Sequence, residues 1–123
     1  MAQVIGGGRM CLTLGGDHSI GVGTVHGAVA ALPETSVLWI DAHADLNTPL
    51  TSPSGNVHGM PVSFCLKELA EFHTPLAGVD WHAPQLSAQH IAFIGLRDVD
   101  PYEKFANDSL SYFTDSLYRR VLQ

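Results

Sequence analysis

Residues 37–50 read VLWIDAHADLNTPL, and in them Asp41, His43 and Asp45 alternate with Ala42 and Ala44 at the end of an apolar run. In an extended segment, side chains two apart share a face and stand roughly 7 Å from one another. The three can therefore converge on one point. Carboxylate and imidazole together suit Mn²⁺, Fe²⁺, Co²⁺ or Zn²⁺, and a carboxylate can bridge two ions that share a hydroxide. Without a cation, three ionisable groups at a strand mouth repel one another and lose solvation at high cost. The competing assignment is a solvated turn in which Asp45 acts as an Asx-type cap. His18, in the turn GGDHS, is expected to supply a fourth ligand. Asp17 beside it is expected to support a ligand or to cap the helix that follows.

These groups need elements to carry them. CLTL at 11–14 reads as a short buried strand, and residues 19–32, SIGVGTVHGAVAAL, read as a helix ended by Pro33. Three glycines in that helix each cost about 1 kcal/mol relative to alanine. SVLWI at 36–40 is a second strand, apolar on both faces as in a parallel sheet. NTPLTSPSGNVHG (47–59) is loop by composition. MPVSFCLKELAEF (60–72) spaces Val62, Cys65, Leu66, Leu69 and Phe72 as in a helix, with Pro61 suited to its first turn. HIAFIG (90–95) is expected to form a third strand, PYEKFAND to open a short helix at Pro101, and SLSYFT (109–114) to form a fourth strand.

Strands alternating with helices predict an α/β fold, a three-layer αβα arrangement around a mainly parallel sheet, with residues 1–123 in one domain. Such sheets bind ligands outside the carboxyl ends of their strands. GGDHS, DAHAD and LRDVDP each follow a strand, so all three are expected on one sheet edge.

Composition narrows the function classes. A chain of 123 residues suits one domain, and one of that size buries roughly 65–70% of the surface its unfolded form exposes. With 46% apolar and 15% charged residues, it is suited to a buried sheet. The net charge is -6, with only six Lys and Arg and no basic run, which excludes a nucleic-acid partner and favours cations. Cys11 and Cys65 form no CxxC pair and are expected to be reduced in an intracellular protein. The opening residues make a poor signal peptide, and the apolar runs fall short of a membrane span, so a soluble cytoplasmic protein is expected. GVGTVHG (21–27) has His26 where a dinucleotide loop needs its third glycine, and GGG at 6–8 has no GK[ST] after it. Asp17, His18 and Ser19 are adjacent and cannot form a hydrogen-bonded triad.

LGGDHSI, WIDAHADLNTPLTSPSGNVHGMPVSF and IGLRDVDP closely resemble the arginases of the ureohydrolase family, over about residues 9–104. DAHAD alone marks the wider family; SGNVHG and LRDVDP point to arginase over agmatinase. The resemblance implies a manganese metallohydrolase of arginine metabolism and the urea cycle. It would convert L-arginine and water to L-ornithine and urea through a hydroxide bridging two Mn²⁺ ions. It implies His18, Asp41 and Asp45 as ligands of one ion and Asp41 with His43 as ligands of the other. Asp45 would also accept a hydrogen bond from the hydroxide, and His58 would transfer protons, for which an imidazole of pKa about 6.5 is suited. Asn47, Ser54 and Asn56 are implied to receive the substrate α-carboxylate, and Asp100, with Glu103 just beyond, the α-amino group. The family suggests a homotrimer, in the cytoplasm, or in mitochondria if a leader precedes Met1.

Arginases are longer, and their later half supplies a second Asp-x-Asp metal motif. Here the other Asp-x-Asp is Asp98-Val-Asp100, inside the substrate loop. The chain is therefore expected to be part of an arginase, truncated at both ends, with three ligands for one ion and two for the other. Little activity, exposed apolar surface and aggregation are expected of it. The alternatives are an inactive truncated isoform or interaction module, another ureohydrolase such as agmatinase, and a site in which Asp98 and Asp100 replace the lost pair.

Overall fold

The computed structural model describes residues 1–73 and 85–98. Two strands, β1 (Val37–Ile40) and β2 (Ile91–Ile94), pair in parallel with Val37 opposite Ile91 and Ile40 opposite Ile94. A parallel pair needs a long crossover, and residues 41–90 supply it. The described α-helices are α1 (Ala2–Gly6), α2 (Ile20–Ala31) and α3 (Pro61–Cys65). Pro61 stands in the first turn of α3, where its missing N–H costs nothing. Val22, Val25 and Val29 recur at helical spacing and are the buried residues of α2.

Strand alternation sorts the sheet. Trp39, Ile91 and Phe93 point into a core shared with the three α2 valines, Met60, Val62, Leu66, Leu69 and Leu86. Each such side chain contributes roughly 1.5–3 kcal/mol when fully buried. Leu38, Ile40 and Ile94 point the other way and are exposed. The run 36–40 was expected to be covered on both faces, but among the described residues only one face is packed. The described architecture is thus a small parallel sheet with helices.

Two expected elements differ. Residues 11–14 form no strand: they have no regular structure, and Leu12 and Leu14 are 79% and 83% exposed. A short apolar run becomes a strand only when a neighbour accepts its backbone hydrogen bonds, and no described strand does so. The helix expected over 60–72 breaks at Leu66. Leu66 is fully buried and bridges Leu86, with Leu86 N donating to Cys65 O and Lys67 N to Leu86 O at 3.1 and 2.9 Å. A 3-10 turn, Lys67–Phe72, follows. Its Glu68 accepts from Ser87 Oγ at 3.1 Å and Ala88 N at 3.2 Å, anchoring the 3-10 turn Ala88–His90 that leads into β2. The helix expected at Pro101 and the strand expected at 109–114 lie outside the described residues. No described helix is long and apolar enough to cross a membrane.

Candidate metal centre

The parallel pairing continues past the strand ends. Asp41 N donates to Ile94 O at 3.0 Å, and Arg97 N and Asp98 N both donate to Ala42 O, at 3.0 and 3.1 Å. Between them Gly95 takes φ +89, and a Cβ there would stand 3.3 Å from Asp41 O. Only glycine allows that approach readily. These contacts lay the first residues of LRDVDP along DAHAD.

DAHAD itself is not extended. Asp45 has φ 51, a left-handed conformation that Asp adopts more readily than most residues. Its carbonyl accepts from Val62 N and Ser63 N at the start of α3, at 3.2 and 3.4 Å. Asp45 is only 6% exposed, which excludes the solvated-turn assignment. Its side chain thus reaches the site through a turn rather than by strand alternation.

On the other side, Asp17 Oδ1 accepts from Ser19 N at 2.9 Å and from Ser19 Oγ. Those hydrogen bonds, the hydroxyl's first, hold the Asp17 carboxyl below its ordinary value. The tightened turn presents His18 just ahead of α2, where its ring stacks on Trp39 at a centroid distance of 4.9 Å. Trp39 was not singled out in the sequence. The available signal was its place two residues before Asp41, on the same face of the strand.

His18, Asp41 and Asp45 each offer one ligand atom, and these atoms lie within 4.8 Å of one another. His18 Nδ1 is 2.8 Å from Asp45 Oδ2 and 3.6 Å from Asp41 Oδ2. The buried Asp45 Oδ2 nevertheless has no hydrogen-bond partner among the described residues, so the short contact to His18 is out of line for a hydrogen bond. Burial pushes the Asp45 carboxyl above its ordinary value; His18 opposes this and the charge of Asp41 reinforces it. A buried acceptor lacking a donor, beside a second carboxylate and an imidazole, fits a divalent cation. The donor set suits Mn²⁺.

His43 stands apart from that trio. Its Nδ1 lies 3.4 Å from Asp41 Oδ1, the opposite oxygen from the one facing His18, and its backbone N donates to Asp41 Oδ1 at 2.9 Å. Asp41 is therefore flanked by an imidazole on each side. The His43 Nε2 is 3.5 Å from Asp98 Oδ2.

A cavity of about 410 Å³ adjoins this cluster. Its lining includes His43, Asp45, Asn47, Ser54, Asn56 and His58, all singled out in the sequence, together with Ser52, Pro53, Gly59 and Asp98. The loop forming its wall is tied internally: Gly55 N donates to Ser52 Oγ at 3.1 Å and Asn56 N to Ser54 Oγ at 3.2 Å. Ser52 could have been found from its place between Asn47 and Ser54 in the same loop. Asp100 and Glu103 lie outside the described residues.

The arginase family model matches residues 1–120. The chain belongs to the arginase family. It is 49% identical over 116 residues to non-hepatic arginase 2 of Xenopus laevis, covering 93% of this chain and 32% of that protein. It is 54% identical over 105 residues to the hepatic arginase of Aquarana catesbeiana, covering 85% of this chain and 32% of that one. The arginase structure from Bacillus caldovelox superposes with TM-score 0.74 at 40% identity, over 89% of this chain and 36% of that one. The chain thus spans about a third of the length of the curated relatives it matches, and its fold is part of an arginase fold.

Proposed function

We propose that this chain forms the Mn²⁺-holding and carboxylate-recognising portion of a site that hydrolyses L-arginine to L-ornithine and urea. The convergence of His18, Asp41 and Asp45, with Asp45 Oδ2 buried and lacking a donor among the described residues, carries the proposal. His18, Asp41 and Asp45 would hold one ion, and Asp41 with His43 a second. Bound Mn²⁺ supplies Lewis-acid activation of water for attack on a guanidinium carbon. The remaining chemistry belongs to the chain. His58, on the cavity wall, moves a proton between solvent and the leaving amine. Asn47, Ser54 and Asn56 orient the amino acid through its α-carboxylate with neutral donors, so a substrate lacking that group is selected against. Asp100 accepts the α-amino group, with Glu103 behind it. The full site sits at the edge of a three-layer αβα sandwich, of which these residues are one part.

Purified chain titrated with Mn²⁺ and assayed for urea tests this directly. The expected result is one firmly bound ion, a second bound weakly through its two ligands, and slow or no urea release by the 123-residue polypeptide. Absence of Mn²⁺ binding would overturn the metal assignment. Two tight ions with rapid turnover would overturn the ligand count. A second reading, an interaction module, is favoured by the apolar face of β1 and β2 that the other described residues leave exposed. Its signature would be association with a longer arginase chain when no Mn²⁺ is bound.

A further inference from the structure

We infer that Asp98 is a positioning group for His43: its carboxylate holds the ring proton on Nε2 and so keeps Nδ1 available to the second cation. This rests on the assignment of His43 as a ligand above, and it makes Asp98 the support of a ligand instead of a substitute for one.

A neutral imidazole has one N–H and one lone pair, and the partners of its two nitrogens decide which carries the proton. His43 faces a carboxylate on both sides. Its Nδ1 lies 3.4 Å from Asp41 Oδ1, and its Nε2 lies 3.5 Å from Asp98 Oδ2. The two tautomers have opposite consequences. With the proton on Nδ1, the ring pairs with Asp41, and two ligand atoms of the site are spent on each other. With the proton on Nε2, the ring pairs with Asp98, and the Nδ1 lone pair is left for a cation. The backbone sets Asp98 in place for this, because Arg97 N and Asp98 N both donate to the carbonyl of Ala42, the residue before His43, at 3.0 and 3.1 Å. His43 is held from its other side, where its own N donates to Asp41 Oδ1 at 2.9 Å. His43 and Asp98 also line the same cavity. Both side chains are exposed, and 3.5 Å is the outer limit of a hydrogen bond, so the contact biases the ring without locking it.

The test compares the 123-residue chain with Asp98→Ala and Asp98→Asn. Both variants lose the charge, but only alanine loses the acceptor oxygen. Long-range ¹H–¹⁵N spectra of the metal-free proteins, recorded where the ring is neutral, report the His43 tautomer. The parent is expected to carry the proton mainly on Nε2, Asp98→Ala to move it toward Nδ1, and Asp98→Asn to stay nearer the parent. Mn²⁺ titration, with free ion counted by its EPR signal, should show the first ion bound equally in all three proteins. The second should bind about 3- to 10-fold more weakly to Asp98→Ala, with Asp98→Asn again nearer the parent. If Asp98→Ala leaves the tautomer and the second affinity unchanged, the inference is overturned while the ligand assignment stands. If both variants weaken the second ion equally, charge alone is at work and the positioning role is overturned. Loss of the first ion in Asp98→Ala would overturn it too, since Asp98 would then serve the whole cluster. If the parent binds no second ion, His43 fails as a ligand and the inference falls with it.

Discussion

Asp45 has a positive φ, 6% exposure and one oxygen without a hydrogen-bond donor among the described residues. Burial holds its carboxyl above the ordinary 3.8. A group raised on folding contributes stability that is complete below its unfolded pKa and is lost as pH rises through the folded one. In the metal-free chain, ionising this carboxyl therefore costs stability as pH rises, and a bound cation would offset that cost. Asp45→Asn keeps the shape and the left-handed conformation while removing the charge. The metal-free Tm at pH 7 is expected to rise by about 4 °C, roughly 1 kcal/mol. The Tm increase given by saturating Mn²⁺ in the parent, about 3 kcal/mol at a hundredfold excess over Kd, should largely disappear. Scanning fluorimetry with and without Mn²⁺ checks both; an unchanged Mn²⁺ response would remove Asp45 from the ligand set. His73 gives the opposite pH sign. Its ring packs 4.2 Å from that of Phe64, and burial lowers its pKa below 6.5. Stability from keeping it neutral is complete above 6.5 and falls as pH drops from there through the folded value. His73→Phe should flatten the decline in Tm between about pH 7.5 and 5.5, read as the difference in slope from the parent.

Among the elements, α2 separates two glycines that look alike in sequence. A Cβ on Gly23 meets nothing within 4 Å, whereas one on Gly21 would stand 3.1 Å from the Trp39 ring and 3.4 Å from Pro61. Gly23→Ala is expected to stabilise the fold by about 0.5–1 kcal/mol through helix propensity. Gly21→Ala gains the same propensity but pushes Trp39 out of place, and Trp39 is the ring on which His18 stacks. It should lower both Tm and Mn²⁺ affinity; chemical denaturation and Mn²⁺ titration of the two variants decide it. The general cost assigned to helix glycines was thus legible from sequence, but the close approach that makes one of them necessary was not. Residues 60–72 carry the same lesson. Their apolar spacing is helical, yet Leu66 is drawn into a bridge with Leu86, and packing of the chain against a distant segment overrode the local preference.

For the whole molecule, the described fold leaves an apolar sheet face open. Leu38, Ile40 and Ile94 are 57%, 72% and 50% exposed and lie together on adjacent parallel strands. A contiguous apolar face of this kind, beside strand edges unpaired among the described residues, favours association. Replacing Leu38, Ile40 and Ile94 together by Thr keeps strand propensity and removes apolar area. Sedimentation velocity is expected to show concentration-dependent association in the parent and less in the triple variant. The Mn²⁺-induced Tm shift should stay the same in both, because the metal cluster lies at the strand ends rather than on this face. Equal association in both proteins would mean that another surface drives it.

The sequence by itself determined which groups are present and the elements whose signals are local. Asp41, His43, Asp45 and His18 are metal-ligand types at suggestive spacing; 20–31 is helical by its valine period, and 37–40 and 91–94 are strands by their apolar runs. The resemblance in LGGDHSI, DAHAD, SGNVHG and LRDVDP carried the family assignment as well. Only the tertiary structure decided where those groups meet. The left-handed turn at Asp45, the seat of His18 on Trp39 and the approach of Asp98 to His43 arise from contacts with neighbours that spacing does not reveal. The exposed run at 11–14 follows from the same cause. Propensity and period act over a few residues, whereas a strand requires a partner and a metal site requires atoms from separate segments to converge.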